Sequence, residues 1–338
     1  MEALLGKSLE ELQAVAIEAG LPRFVGKQLC EWIYRHRATS FDQMTNLSLR
    51  ARQALQQHYV IGRSEPTAQA VSVDGTRKYL FPVLTAQRSN SAIECVYLPE
   101  DDRTTLCVST QAGCKMGCRF CMTGTLGFNG NLTAADILAQ VLYFPDLTNL
   151  VLMGEGEPMD NLDSVLRALS VLTADWGLGW SPKRITVSTV GVPAMKRFLD
   201  ESECHLAVSL HNPVPAERAA IMPAERLMSI TDVVALIKQY DWSHQRRVSF
   251  EYICWSGVND DLPHAKQLLR LLQGLPCRIN LIRFHAGVDR EFPASDETAM
   301  EHFRDYLSAH GITTTIRKSR GEDILAACGM LVNALNRQ

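Results

Sequence analysis

The sequence predicts an α/β protein: an incomplete (β/α)6 barrel with a small N-terminal helical domain and a β-extension joining the two. Two observations carry that expectation. Short β-prone runs at 105–110, 149–153, 184–189, 205–210, 248–254 and 278–284 alternate with helical patterns, which argues a parallel sheet with crossover helices. Six such units fall short of the eight that close a full barrel. The second observation is where the distinctive residues fall. A cysteine triplet follows the first run, Gly154-Glu155-Gly156-Glu157-Pro158 the second, Ser188 ends the third, and Ser209-Leu210-His211 ends the fourth. Parallel barrel strands share one carboxyl-end rim, so these residues are expected at one site.

With 338 residues, 46% of them apolar, the chain can bury a core of this size. A net charge of −3 spreads no global field toward nucleic acid, so an RNA contact would need a local patch. Ten cysteines diluted in so long a chain point to a reducing compartment rather than a disulfide scaffold. The start, Met1-Glu2-Ala3-Leu4-Leu5-Gly6, has no basic n-region or long apolar h-region, and no run reaches membrane-spanning length. The expectation is a cytoplasmic protein without a membrane segment.

Taken in order, residues 1–62 read as the helical domain. Ser8 followed by Glu11 is a capping signature for a first helix, and further helical patterns cover 24–37 and 47–59. Between 21 and 60, six basic residues (Arg23, Lys27, Arg35, Arg37, Arg50, Arg52) face two acids (Glu31, Asp42), with Trp32 and Tyr34 interleaved. This suits an RNA-contacting face, and equally a solvated helix surface over a core of those aromatics. Residues 63–103 read as the β-extension, with strands at 71–80 and 91–98 and a turn at 99–102. Residues 104–338 hold the barrel, a segment 313–320 that reads as a further strand running into a basic loop with Arg317, Lys318 and Arg320, and a helix expected over 323–335 that carries Cys328.

The triplet Cys114, Cys118 and Cys121 has the spacing C-x3-C-x2-C on a glycine-punctuated loop. Three thiolates fill three corners of one [4Fe-4S] cubane and leave one iron open. An open iron can take a small molecule through amine and carboxylate, as radical enzymes hold S-adenosylmethionine. Structural zinc is the alternative, but it needs a fourth ligand and its cysteines usually come in separated pairs.

These residues, with 106–121, Gly156-Glu157-Pro158, Ser209-Leu210-His211-Asn212-Pro213 and Ala326-Ala327-Cys328-Gly329, resemble the radical S-adenosylmethionine adenine-C2 RNA methyltransferases over nearly the whole chain. The resemblance implies a radical-SAM barrel that methylates an adenine of large-subunit ribosomal RNA and an anticodon-adjacent adenine of transfer RNAs. The resemblance implies as well that two S-adenosylmethionines are consumed per turnover and that electrons come from an external donor of the flavodoxin or ferredoxin type. It further implies that Cys328 carries the methyl group, that Cys107 resolves the protein–RNA link by forming a Cys107–Cys328 disulfide, and that Glu94 is the base for the C2 proton. Gly156, Glu157, Ser188, Ser209, Leu210, His211 and His285 are implied cofactor contacts, although His285 stands where the family pattern has Asn. A monomer is the expected state.

Each of these residues has a plainer reading. Cys30, Cys95, Cys204, Cys254 and Cys277 read as core thiols, and Cys107 and Cys328 taken singly would too. Glu94 in an alternating strand reads as a solvated carboxylate, and Ser188, Ser209 and His211 as strand-end hydrogen-bonders. Two other functions stay open: methylation of adenine C8, by a related family sharing most of the motifs, and a non-catalytic iron–sulfur RNA-binding protein or electron carrier.

Overall fold

The capping signature at Ser8 forms as expected. In the computed structural model, which describes residues 1–85, 91–125, 127–242, 246–285 and 292–331, the Ser8 hydroxyl accepts from the Glu11 amide at 3.3 Å and the Glu11 carboxylate accepts from the Ser8 amide at 2.6 Å. They open the helix Leu9–Glu18, whose Leu12, Val15 and Ala16 are buried. Helices follow at Val25–Cys30, extended by a wider turn over Glu31–Arg35, and at Leu49–Gln56. Tyr34 is wholly buried and donates to the Lys7 carbonyl at 2.5 Å, so it belongs to the core of this domain rather than to a contact face. The Arg35 Nε donates to the Gly177 carbonyl at 2.9 Å and Arg167 pairs with Glu11 at 3.0 Å, fastening the helices to the barrel's outer layer.

One ten-stranded sheet organises the rest, and its spatial order is the order of the chain. The strands are β1 (Ala68–Val71), β2 (Arg77–Val83), β3 (Ser91–Pro99), β4 (Thr104–Cys107), β5 (Asn149–Leu152), β6 (Ile185–Thr189), β7 (His205–Ser209), β8 (Val248–Cys254), β9 (Arg278–Arg283) and β10 (Thr313–Ile316). Strands β1 to β4 pair antiparallel; β4 to β10 are all parallel. Six crossover helices, Ala134–Leu142, Leu162–Thr173, Met195–Glu201, Ile230–Ile237, Leu262–Leu272 and Glu297–Ala309, join the seven parallel strands. Because β1 and β10 remain edges, the sheet is a partial barrel.

Three expectations are corrected. The strand expected over 71–80 is broken by a turn at 72–76, where the Ser72 amide donates to the Thr76 carbonyl at 2.8 Å and Gly75 takes φ +85°, so the stretch folds back as a hairpin. The run at 105–110 leaves the sheet after Cys107, and Gln111–Gly113 instead pairs with Phe128–Asn131 in a ribbon framing the cysteine loop. The helix expected over 323–335 is a single 3-10 turn, Glu322–Ile324. Leu325 at φ +53° and Gly329 at φ +79° turn the chain left-handed, which an α-helix cannot accommodate. The remainder of that expected helix, 332–335, lies outside the described residues.

Arg218 ties the carboxyl ends of β6 and β7 together. Fully buried, it donates to the carbonyls of Leu210 (2.9 Å), Ser209 (2.8 Å) and Val190 (2.6 Å) and pairs with the buried Glu225. Replacing it by Met strands the Glu225 carboxylate and three carbonyls, and should cost about 3–5 kcal/mol in urea unfolding. A midpoint equal to that of the parent protein would contradict this.

Candidate active site

At the carboxyl ends of the parallel strands lies a cavity of about 430 Å³, and most of the residues singled out from the sequence line it: Cys107, Cys114, Cys118, Cys121, Gly156, Glu157, Ser188, Ser209, His211, His285 and Cys328. Two do not. Leu210 is buried in the core, and Glu94 is fully buried two residues before Val96, which does line the cavity.

The cysteine loop is framed by a close backbone approach: a Cβ on Gly113, at φ +74°, would lie 1.9 Å from the Gly127 carbonyl oxygen. Burial pushes the thiol of Cys114 up to about 12 and raises Cys118 and Cys121 as well. Among the described residues no three His, Cys, Asp or Glu side chains converge as ligands of a single ion would. A cubane asks for something different, one thiolate on each of three irons, and three thiols of one loop lining a shared cavity fit it.

The second loop is built around two buried carboxyl groups. Glu157 accepts from the amides of Met159 (3.0 Å) and Val190 (2.9 Å), and burial pushes it up to about 7. At neutral pH it is poised to become the partner of an ammonium. Gly156, at φ +100°, leaves no room for a side chain, since a Cβ there would stand 2.5 Å from Cβ of Gln111. Glu155 points the other way. It accepts from the amides of Glu94 (2.8 Å) and Gly113 (3.3 Å), stitching three segments together, and burial pushes it up to about 8.

His211 closes the site from β7. Its Nδ1 accepts from the Ile253 amide at 3.0 Å, so the ring proton sits on Nε2; burial and the nearby Arg218 push the imidazole down to about 3, leaving it neutral. His285, beyond β9, bonds through Nε2 to the Ser319 hydroxyl at 2.6 Å and approaches Glu322 at 3.4 Å. It thereby holds the segment that leads to Cys328.

Cys107 and Cys328 come from distant parts of the chain to the same cavity, and both are free thiols. Cys328 is accessible from the cavity, yet enough protein surrounds it to push its thiol up to about 11; burial and the neighbouring Cys328 push Cys107 up to about 12. The Cys328 segment is bonded to the cysteine loop itself: the Met122 amide donates to the Gly329 carbonyl at 2.8 Å and the Thr123 hydroxyl to the Leu331 carbonyl at 3.0 Å. Glu94, in contrast to the solvated carboxylate that strand alternation suggests, is wholly buried and ion-paired at 3.1 Å with an equally buried Lys78. Of the basic loop, Arg317, Lys318 and Arg320 all line the cavity, and Arg320 is also held by Asp74 (3.3 Å) and the Pro99 carbonyl (2.8 Å).

Three residues have a part in this site that the sequence reading did not assign, although Gln111 and Glu155 lie within the motifs it singled out. Gln111 accepts from the Glu157 amide at 2.9 Å and donates to Asn131 and Asp160. Glu155 is the stitch described above. Glu251, in the buried centre of β8, lines the cavity and accepts from Ser249 (2.9 Å) and Asn280 (2.8 Å). A lone acid in an apolar run of a central parallel strand was the available signal for Glu251.

A partial parallel barrel with a C-x3-C-x2-C loop after its first parallel strand defines the radical S-adenosylmethionine (radical SAM) enzymes. Residues 108–269 match the radical SAM superfamily, and residues 3–61 the ribosomal RNA large subunit methyltransferase N-terminal domain. The chain is 57% identical to a probable dual-specificity RNA methyltransferase RlmN of Bacteroides fragilis, covering 98% of this chain and 96% of that one. It is 40% identical to the dual-specificity RNA methyltransferase RlmN of Geobacter sulfurreducens, covering 98% and 92%. A crystal structure of a radical SAM methyltransferase from Sphaerobacter thermophilus superposes with a TM-score of 0.91 at 37% identity, covering 98% and 99%. The chain belongs to the RlmN family of radical SAM RNA methyltransferases, a membership that implies a [4Fe-4S] cluster and S-adenosylmethionine. Among the described residues no helix is long and apolar enough to cross a membrane.

Gly156→Ala tests the cradle. The forced side chain should cost roughly 1–3 kcal/mol, read as a lower unfolding midpoint together with weaker S-adenosylmethionine binding by equilibrium dialysis of the reconstituted protein. Wild-type values of both would show that the close approach to Gln111 constrains nothing.

Proposed function

We propose that this enzyme methylates C2 of a specific adenine in large-subunit ribosomal RNA and of an anticodon-adjacent adenine in transfer RNAs, with Cys328 as the methyl carrier. The observation that supports this most is the convergence of Cys107 and Cys328 on the cavity of the cysteine loop, with the Cys328 segment bonded to that loop. C2 of adenine is electron-poor and carries no acidic proton, so a nucleophilic base has no route to a methylsulfonium.

Cys114, Cys118 and Cys121 would hold the cluster, and Glu157 and Gly156 the amino-acid end of S-adenosylmethionine. Ser188, Ser209 and His211 would hold its remainder beside Leu210, and His285 would contact the adenosine. The bound group supplies an organic radical able to remove a hydrogen atom from a methyl group, and two S-adenosylmethionines are used per turnover. The chain's own residues do the rest. Cys328 takes the first methyl by displacement at sulfonium carbon, a step that needs its thiolate. Its methylene carbon then bonds to C2. Glu94 receives the proton leaving C2, and the unpaired electron left on the base departs to the electron-transfer partner that supplied it. The Cys107 thiolate attacks the bridging sulfur, the C–S bond breaks as the Cys107–Cys328 disulfide forms, and the electron pair left on the CH2 carbon takes a proton from water to complete the methyl group.

The adenine must leave its stack to reach this cavity, and the RNA is read by shape and backbone contacts. Arg317 and Lys318 at the cavity, and Arg23, Lys27, Arg50 and Arg52 on the helical domain 1–62, are the proposed phosphate contacts. The enzyme works in the cytoplasm as a monomer, and a small flavodoxin or ferredoxin supplies the electrons.

Replacing Cys328 by Ala should abolish methyl transfer while leaving the cluster's visible absorbance in place, and mass spectrometry against a synthetic 2-methyladenosine standard reads the product. Retained methylation, or an 8-methyladenosine product, would refute the proposal. Reversing the charge of Arg50 and Arg52 together should weaken RNA binding about tenfold or more at low salt and flatten its salt dependence. Unchanged affinity would remove the helical domain from the RNA interface.

A further inference from the structure

Lys78 is almost wholly enclosed, on β2 of the extension, and its ammonium has two partners from separate parts of the chain. It lies 3.1 Å from a carboxylate oxygen of Glu94, which is itself fully buried, and donates at 3.3 Å to the carbonyl of Leu325. Leu325 stands three residues before Cys328, in the left-handed conformation that turns the chain toward the cavity. One ammonium therefore meets both the buried Glu94 carboxylate and the backbone that leads to Cys328.

The same hairpin holds that backbone at further points. The Ser72 hydroxyl donates to Asp323 at 2.6 Å, the Val73 amide to the other Asp323 oxygen at 3.2 Å, and the Gly321 amide to Asp74 at 3.0 Å. Ala326 and Leu331 pack on Val96, with Cys107 and Ile324 at the margin of that small apolar cluster. The turn at 72–76, together with Lys78, is thus a seat for the Cys328 segment.

A buried carboxylate costs several kcal/mol to ionise unless a countercharge is near. Among the described residues, the titratable groups that interact with Glu94 include Lys78 from β2 and Glu155 from the loop after β5, with Cys95 next to it in β3. Burial raises Cys95 far above its ordinary value and keeps it neutral, and Glu155 stays largely protonated below about 8. Lys78 is the cation of this set.

We propose that Lys78 is a positioning residue for methyl transfer: it supplies the countercharge that keeps Glu94 competent as a base, and ties that competence to the seating of the Cys328 segment through the Leu325 carbonyl. The proposal rests on Glu94 acting as the base. The proton leaving C2 passes to a Glu94 oxygen, and Lys78 itself gains and loses none.

The test uses the reconstituted full-length enzyme with RNA substrate, S-adenosylmethionine and a chemical reductant. Lys78→Met removes both contacts, Lys78→Gln keeps a donor for the Leu325 carbonyl without the charge, and Lys78→Arg keeps the charge. Loading of the methyl group onto Cys328, read by intact-protein mass, does not use Glu94; it should proceed in Lys78→Gln and Lys78→Arg, which keep a donor for the Leu325 carbonyl, and any loss in Lys78→Met reports the seating of the Cys328 segment apart from proton transfer. Transfer to RNA in Lys78→Met should fall at least tenfold at neutral pH and recover as pH rises, because a carboxylate without its countercharge ionises only at higher pH. Lys78→Gln should show the same displaced acid limb, and Lys78→Arg should restore it, so a failure of Lys78→Met to fold leaves the comparison intact. An acid limb at the wild-type position in both uncharged variants overturns the proposal, as does an equal loss at every pH in all three. Glu94→Gln separates the two levels: if it transfers methyl at the wild-type rate, the base assignment falls and this inference with it. If it is inactive while Lys78→Gln behaves as wild type, only the role of Lys78 is lost.

Discussion

Seven parallel strands hydrogen-bonded in chain order impose the constraint on which everything else depends: every carboxyl end opens onto one rim. The cysteine loop follows β4, the double-glutamate loop follows β5, and the serines and His211 come from the ends of β6 and β7. Residues scattered over more than two hundred positions therefore face one cavity because of topology. The loops at this rim would splay without further ties, and buried polar groups supply them. Glu155 gathers the amides of Glu94 and Gly113, while Arg218 gathers three carbonyls around β6 and β7.

These ties are costly by the usual accounting of buried charge, since an ion taken out of water loses several kcal/mol of solvation. Their placement explains why they are present. Arg218–Glu225 and Lys78–Glu94 both lie directly behind cavity residues, where an apolar replacement could fill volume but could not direct a carbonyl or a carboxylate. Glu157 carries a related tension. Burial holds its carboxyl near neutrality, and the arrival of an ammonium would relieve the desolvation that burial imposes.

Much of the fold was legible because local chemistry and global topology agree. The Ser8–Glu11 capping box, the β–helix alternation and the cysteine spacing each specify their structure with neighbouring residues alone. What was not legible depended on partners far away in sequence. The run 71–80 keeps strand composition through a turn that Gly75 makes possible and that Asp323, more than two hundred residues on, helps to hold. The amphipathic pattern after 323 resembles a helix, but contacts with the hairpin and the cysteine loop bend it into a left-handed path at Leu325 and Gly329. Glu94 alternates as a surface residue would, yet it is wholly buried and meets Lys78 from the neighbouring strand and Glu155 from the loop after β5. Among the site residues, those on strand-end loops could be named in advance, whereas the roles of Gln111 and Glu155 and the presence of Glu251 depend on backbone amides and side chains that no spacing rule connects.

The account stands or falls on whether the methyl carbon delivered to RNA is the one that Cys328 held. The enzyme can be loaded with an isotopically labelled methyl group, freed of excess cofactor, and given RNA with unlabelled S-adenosylmethionine for a single turnover. Label at C2 of the product adenine is the predicted result. An unlabelled first-turnover product, with the label still on Cys328, would contradict it.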